Sequence, residues 1–177
     1  MPIININNLA RLVTANEVRG NAFSQGQFDQ QLITSSLVKI AEISHLEKAI
    51  SREFYEELVT QHDTSGTLSA NNQDLMDDYL VLCLSWFVKF EVLNESMYKI
   101  TSSGVVMNID DFSTAVSPRQ FDLMKQDVLR KANLFLQDML DFMNDNLSLF
   151  PTYKKYAGNS STHNDGTTNK NSGIIFY

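Results

Sequence analysis

Between Leu75 and Leu93 the chain puts apolar side chains on nearly every face of a helix. Leu75, Tyr79, Leu82, Trp86, Phe90 and Leu93 recur every three or four residues. Leu80, Val81, Cys83, Leu84, Phe87 and Val88 fill much of the other side. A helix with no polar face cannot lie on a surface, so it sits at the centre of a core or against another subunit. The rest of the chain must then supply helices to cover it. With 177 residues the chain has the length of one domain, or one domain with arms.

Two flanking stretches meet that need. From Asp29 to about His62, Leu32, Leu37, Ile40, Ile43, Leu46, Ile50, Phe54 and Leu58 follow helical spacing. The length and the weak formers near Ser44 and His45 fit either two helices, near 29–44 and 46–61, or one bent helix. Further on, Ser117-Pro118-Arg119-Gln120 reads as a helix start. Ser117 caps, Pro118 suits the first helical position and Gln120 completes a capping box. Phe121, Met124, Val128, Ala132, Phe135, Met139 and Phe142 then predict a helix to about Asn146, ended before Pro151.

Other segments read differently. Residues 2–6 (PIINI) fit a short strand or docking arm, a short helix is expected near Asn8–Thr14, and residues 15–28 read as a loop. HDTSGTLSANN (62–72) breaks the helical pattern. The β-branched Ile100, Val105, Val106 and Ile109 around Ser-Ser-Gly predict a small hairpin or extended arm over 98–112. Residues 157–173 are dominated by Gly, Asn, Ser, Thr and Asp, which cannot bury enough apolar area to offset ordering entropy. The sequence nevertheless ends in Ile174-Ile175-Phe176-Tyr177, a β-prone plug suited either to adding a strand to a neighbour or to folding back. The expected fold class is mainly α: a small helical bundle with a hairpin or arm near 98–112 and extended, β-prone termini. Its parts are an N-terminal arm and loop (1–28), a helical domain (29–153) and a tail ending in a docking strand (154–177).

Charge and composition exclude several functions. Lys and Arg number 14 against 21 Asp and Glu, a net charge of −7. A groove that grips DNA needs clustered cations, so such a groove is not expected, although an acidic surface suits DNA that slides past. The tail is the exception, with three lysines against Asp165. No apolar run reaches the length of a membrane span, and the N-terminal residues lack the pattern of a secretory signal. The single cysteine, Cys83, excludes an intrachain disulfide and reads as a buried small hydrophobe.

Catalytic signals do not converge. His45 falls near Glu42 in helical register, but one His and one carboxylate do not make a metal site, and solvated surface is the expectation. His62 begins a loop and His163 lies in the tail. The carboxylates Glu56-Glu57, Asp77-Asp78, Asp110-Asp111 and the series Asp138, Asp141, Asp145 read as solvated acidic faces. Trp86 reads as core, because only Lys89 interleaves with its aromatic neighbours. Motifs for phosphate loops, dinucleotide folds, nucleophile elbows and zinc helices are lacking. The chain is therefore not expected to be an enzyme or to need a cofactor or metal.

The order of several pieces is nonetheless informative. AISREFYEELV contains a Phe-Tyr-x-x-Leu helix end (Phe54, Tyr55, Leu58). SANNQDLMDDYLVLCLSWFVKFEVL begins its apolar helix with Asn-x-x-Leu (Asn72, Leu75). KITSSGVVMN carries an Ile-Thr-x-x-Gly-Val-Val turn (Ile100, Thr101, Gly104, Val105, Val106), and the helix QFDLMKQDVLRKANLFLQDMLDFMNDN and FPTY follow. From about Ile40 to Tyr153 this order resembles head–tail connector (neck ring) virion proteins of tailed bacteriophages of Bacteroidetes hosts, the crAss-like phages among them. The resemblance implies a helical structural protein, made in the host cytoplasm and located in the virion neck. It implies a homo-oligomeric ring, a dodecamer, between the portal protein and adjacent neck or tail rings, with genomic DNA passing through without specific binding and no membrane involved. It carries over no catalytic or binding residue. Two candidates for contact come from the residues themselves: Ile174, Ile175, Phe176 and Tyr177 as a docking strand, and Gly104, Val105, Val106, Asp110 and Asp111 as a loop facing the channel or the next subunit. The alternatives are another tail-proximal ring, a tail terminator, or a cytoplasmic helical module with a peptide groove.

Overall fold

The computed structural model describes residues 12–23, 30–65, 67–96, 98–101, 104–107 and 117–153. The fold is mainly α, as expected. Helix α1 (Ala15–Ala22) begins at Thr14, whose side chain caps the Glu17 amide while Glu17 reaches back, a reciprocal capping box. This helix occupies residues expected as a loop, because the capping box outweighs the cost of Gly20. Helix α2 (Ser35–Ala41) is capped by Thr34 and runs into a π-helical turn, Glu42–Glu47, and then the short α3 (Lys48–Ile50). The break falls at Ser51, later than the Ser44–His45 position expected. Ser51 has φ of 72°, ends α3 and starts α4 (Arg52–Val59). A second π turn, Thr60–Ser65, follows.

Ser69 caps α5 (Ala70–Leu75), which passes through a third π turn, Met76–Leu80, into α6 (Val81–Ser96). Backbone strands β1 (Tyr98–Thr101) and β2 (Gly104–Met107) pair antiparallel, with Ile100 opposite Val105 and Thr101 opposite Gly104. The long α7 (Pro118–Asp145) starts at the Ser117–Gln120 capping box with Pro at its first turn, as the sequence predicts. Asn146 ends it, and a 3-10 turn (Leu147–Leu149) turns the chain back.

Helix α6 is the centre. Helices α1, α2 and α7 all pack on it. Its most enclosed residues are Cys83, Leu84, Phe87, Val88 and Val92, continuing Leu80 from the π turn. The stripe through Tyr79, Leu82, Trp86, Phe90 and Leu93 is only half-buried. An all-round apolar helix gives no periodicity from which to choose its deepest side, and contact with three helices decides it. Along α7, Val128, Ala132, Leu136, Met139 and Met143 face inward, whereas Met124, ahead of the first of these, is 42% exposed. Phe150 and Tyr153 close the base, their rings edge-on to Phe54. Leu12 and Val13 are buried with this core, so chain ahead of α1 contributes to it.

Candidate functional site

The expected contact segments come first. Gly104, Val105 and Val106 lie on β2. Asp110, Asp111 and Ile174–Tyr177 lie outside the described residues, as do residues 2–11 and the tail from 154 onward.

Two of the described polar networks are built around a buried side chain, Glu42 in one and Asn72 in the other. The first is built under the π turn after α2. Glu42 is fully buried. One carboxylate oxygen accepts the Leu12 amide at 2.7 Å, and the other accepts the Tyr55 hydroxyl at 2.8 Å and Lys39 Nζ at 3.3 Å. Lys39 also donates to the Tyr55 hydroxyl and stands over the Tyr55 ring. Burial first, then the adjacent Glu42 carboxyl, push the Tyr55 hydroxyl far above the ordinary phenol range. The group clamps the segment before α1, helix α2 and helix α4 to one point. A carboxylate already satisfied by three donors is a structural hub, not a free base.

The second network joins α4 to α5 and to Thr152, just after the 3-10 turn that follows α7. Asn72 is buried and donates to Glu57 Oε1 at 3.0 Å and Gln61 Oε1 at 2.9 Å. Gln61 donates to Glu57, the Ser69 amide donates to Gln61, and Thr152 donates to the other Glu57 oxygen. The adjacent Glu56 turns to solvent and pairs with Arg52 at 2.7 Å. Glu57 therefore does not share a solvated face with Glu56, contrary to expectation, because neighbours on a helix point about 100° apart.

His45 is likewise not solvated surface. Its ring stacks on Phe87 with centroids 4.3 Å apart, and Nε2 lies 2.8 Å from Glu91 Oε1. That hydrogen bond holds the Glu91 carboxyl below its usual range, against the effect of burial. The π turn adds a residue to the helical circuit, which swings His45 toward α6 while Glu42 faces Leu12 and Tyr55. Cys83 is buried as expected, and burial pushes its thiol up and out of reactivity.

The surface of α6 and α7 holds a feature that sequence spacing missed. Trp86 carries two ammonium groups over its ring, Lys89 at 4.8 Å and Lys131 at 5.2 Å. Lys89 donates to the Ala22 carbonyl at 2.6 Å, and burial, then the Lys131 charge, lower its pKa. Trp86 and Lys131 are 45 positions apart, and only the packing of α7 on α6 brings them together.

A shallow cleft of about 260 Å³ is lined by Leu12, Glu17, His62, Leu68, Gln73 and Met76 among others. That is smaller than most ligand pockets. Among the described residues no group of three or more His, Cys, Asp or Glu could hold a metal ion, and no helix is long and apolar enough to cross a membrane. Exposed apolar side chains are more prominent. Leu32, Ile40 and Ile43 on the α2 side, and Leu123 and Leu134 on α7, are all more than 40% exposed. The periodicity placed Leu32, Ile40 and Ile43 in the core, but α6 covers only the Leu37, Val38 and Ala41 side of α2.

No curated protein matches the chain, and no solved structure does. A family described as "Family of unknown function (DUF6712)" matches residues 46–163, which runs from the first π turn through α7 and beyond the closing Phe150 and Tyr153. That span is about two-thirds of the sequence, and the chain belongs to this family.

Proposed function

We propose that this chain is a structural ring protein of the portal–tail junction of a tailed bacteriophage, a head–tail connector that joins the capsid portal to the tail and forms part of the DNA channel. The observation that carries this reading is the ordered resemblance over residues 40–153. Five of its marker residues, Phe54, Tyr55, Leu58, Asn72 and Leu75, are buried, so the similarity falls on residues that determine the fold. The outward Leu32, Ile40 and Ile43 suit a face covered by a neighbouring subunit. The acidic balance suits a channel that DNA passes without being held. In this reading the work is done by shape and by strands added to neighbours, with no bond chemistry and no cofactor. The segment from Gly104 to Asp111 faces the channel or the next ring, and Ile174–Tyr177 dock on an adjacent subunit.

The test is the mass of the purified chain, alone and mixed with its portal protein. A ring of near-dodecameric mass, formed alone or only on the portal, is the expected result. A chain that stays apart from the portal and never forms a ring overturns the reading. Deleting Gly173–Tyr177 is expected to leave helical circular dichroism unchanged while reducing incorporation into particles. Equal incorporation would remove the docking strand from the proposal.

A further inference from the structure

The outer side of α7 carries two exposed leucines. Leu123 and Leu134 are 57% and 60% exposed. They are eleven residues apart, three helical turns, so they share one azimuth, on the far side from Val128, Ala132 and Met139. Two leucines on a shared outer line are unlike the scattered single apolar residues of an ordinary surface. The same side of the helix carries Arg119, Asp127, Arg130, Asp138 and Asp141, cations and carboxylates interspersed between and beyond the two leucines. Charges of both signs on one exposed side suit a partner that presents the complementary order.

We propose that this face binds a second copy of the chain, α7 against α7, antiparallel about a two-fold axis. Setting Leu123 against the partner's Leu134 fixes the register, because opposed residue numbers in an antiparallel pair have a constant sum. The same register then places Asp127 against the partner's Arg130, and Arg119 against the partner's Asp138. Each of these four charges meets its opposite without further adjustment. Asp127 and Arg130 already pair within one helix at 2.8 Å, so the two-fold joins two ion pairs into an alternating cluster of four. The contact is isologous and closes on two copies. It uses a different face from Leu32, Ile40 and Ile43, and it does not depend on the ring reading, which is tested by portal binding.

Sedimentation equilibrium of the full chain tests it. Without portal protein the expected result is a reversible equilibrium between the 20.1 kDa monomer and a dimer, and a ring formed by the chain alone with no dimer overturns the pairing. Leu134→Asp is expected to move that equilibrium at least tenfold toward monomer with unchanged circular dichroism, since Leu134 supports no core. Cysteine cross-linking tests the register. Leu123→Cys chains mixed with Leu134→Cys chains should oxidise to a mixed dimer, while neither variant alone should link. In the antiparallel register identical positions lie about 16 Å apart, at 1.5 Å per residue, beyond the reach of a disulfide. Buried Cys83 does not compete. A monomer at every concentration overturns the proposal. So does a dimer indifferent to Leu134→Asp, which would put another surface or another segment of the chain in that role, and so does linking of each variant with itself as readily as with the other.

Discussion

Glu42 gathers the Leu12 amide, the Tyr55 hydroxyl and the Lys39 ammonium on one buried carboxylate. Replacing it with Ala takes the acceptor from the Leu12 amide and the Tyr55 hydroxyl and the carboxylate from beside Lys39, and a broken buried charge network is among the costlier lesions. Glu42→Ala is expected to lower unfolding stability by about 3 kcal/mol in urea titrations. Tyr55→Phe should cost only about 1 kcal/mol, because Leu12 and Lys39 still hold the carboxylate. Equal losses for the two variants would mean that Tyr55, not Glu42, organises the group. None of this was legible in the sequence. Glu42 sits between Ile40 and Ile43 as a polar gap-filler, and its partners at positions 12 and 55 are set by tertiary packing. Cys83 was legible, since its whole neighbourhood is apolar. His45 was not, because its partner Glu91 is 46 positions away on another helix.

The decisive joint between elements is Ser51. A φ of 72° with ψ of 148° is a backbone region that glycine tolerates and other residues enter at a cost. Its buried hydroxyl has no hydrogen-bond partner in the described structure and does not cap α4, so the side chain gives nothing back. Ser51→Gly is expected to raise stability by about 1 kcal/mol, read as a higher thermal midpoint. A lower midpoint would show that the serine side chain supports the packing around it. At this scale the sequence was most legible where local chemistry decides. The Ser117–Gln120 start of α7 follows from four adjacent residues. The same device at Thr14–Glu17 was present but masked by Gly20, which stands in mid-helix with open space where a side chain would be. The inward stripes of α2 and α7 were misjudged where the helices extend past α6. Periodicity identifies an apolar face, but not whether a neighbour reaches it.

For the molecule as a whole, the His45–Glu91 contact ties the first π turn to the central helix, and its protonation enters the stability of the entire fold. The His45 hydrogen bond, aided by Asn94, holds Glu91 below the ordinary carboxylate range. A carboxyl depressed in the folded state stabilises fully above its unfolded value, about 4.3, and loses that contribution as pH falls through the lower folded value. Glu91→Gln is therefore expected to destabilise the chain near neutrality and to flatten the acid side of its stability profile. A mutant profile parallel to the wild type at all pH values would exclude Glu91 as a source of acid sensitivity. The overall architecture was legible because α6 has no polar side and must be enclosed. Which helix covers which side of it was not. Part of the reason lies in the turns Glu42–Glu47, Thr60–Ser65 and Met76–Leu80. A π turn holds about one residue more per circuit than an α turn, so each stores a surplus residue within a helix. Length differences that most folds confine to loops can therefore be absorbed inside the helical segments of this one. An aligned gap of a single position at these turns would return the turn to α geometry while the segments on either side keep the faces they present to the core.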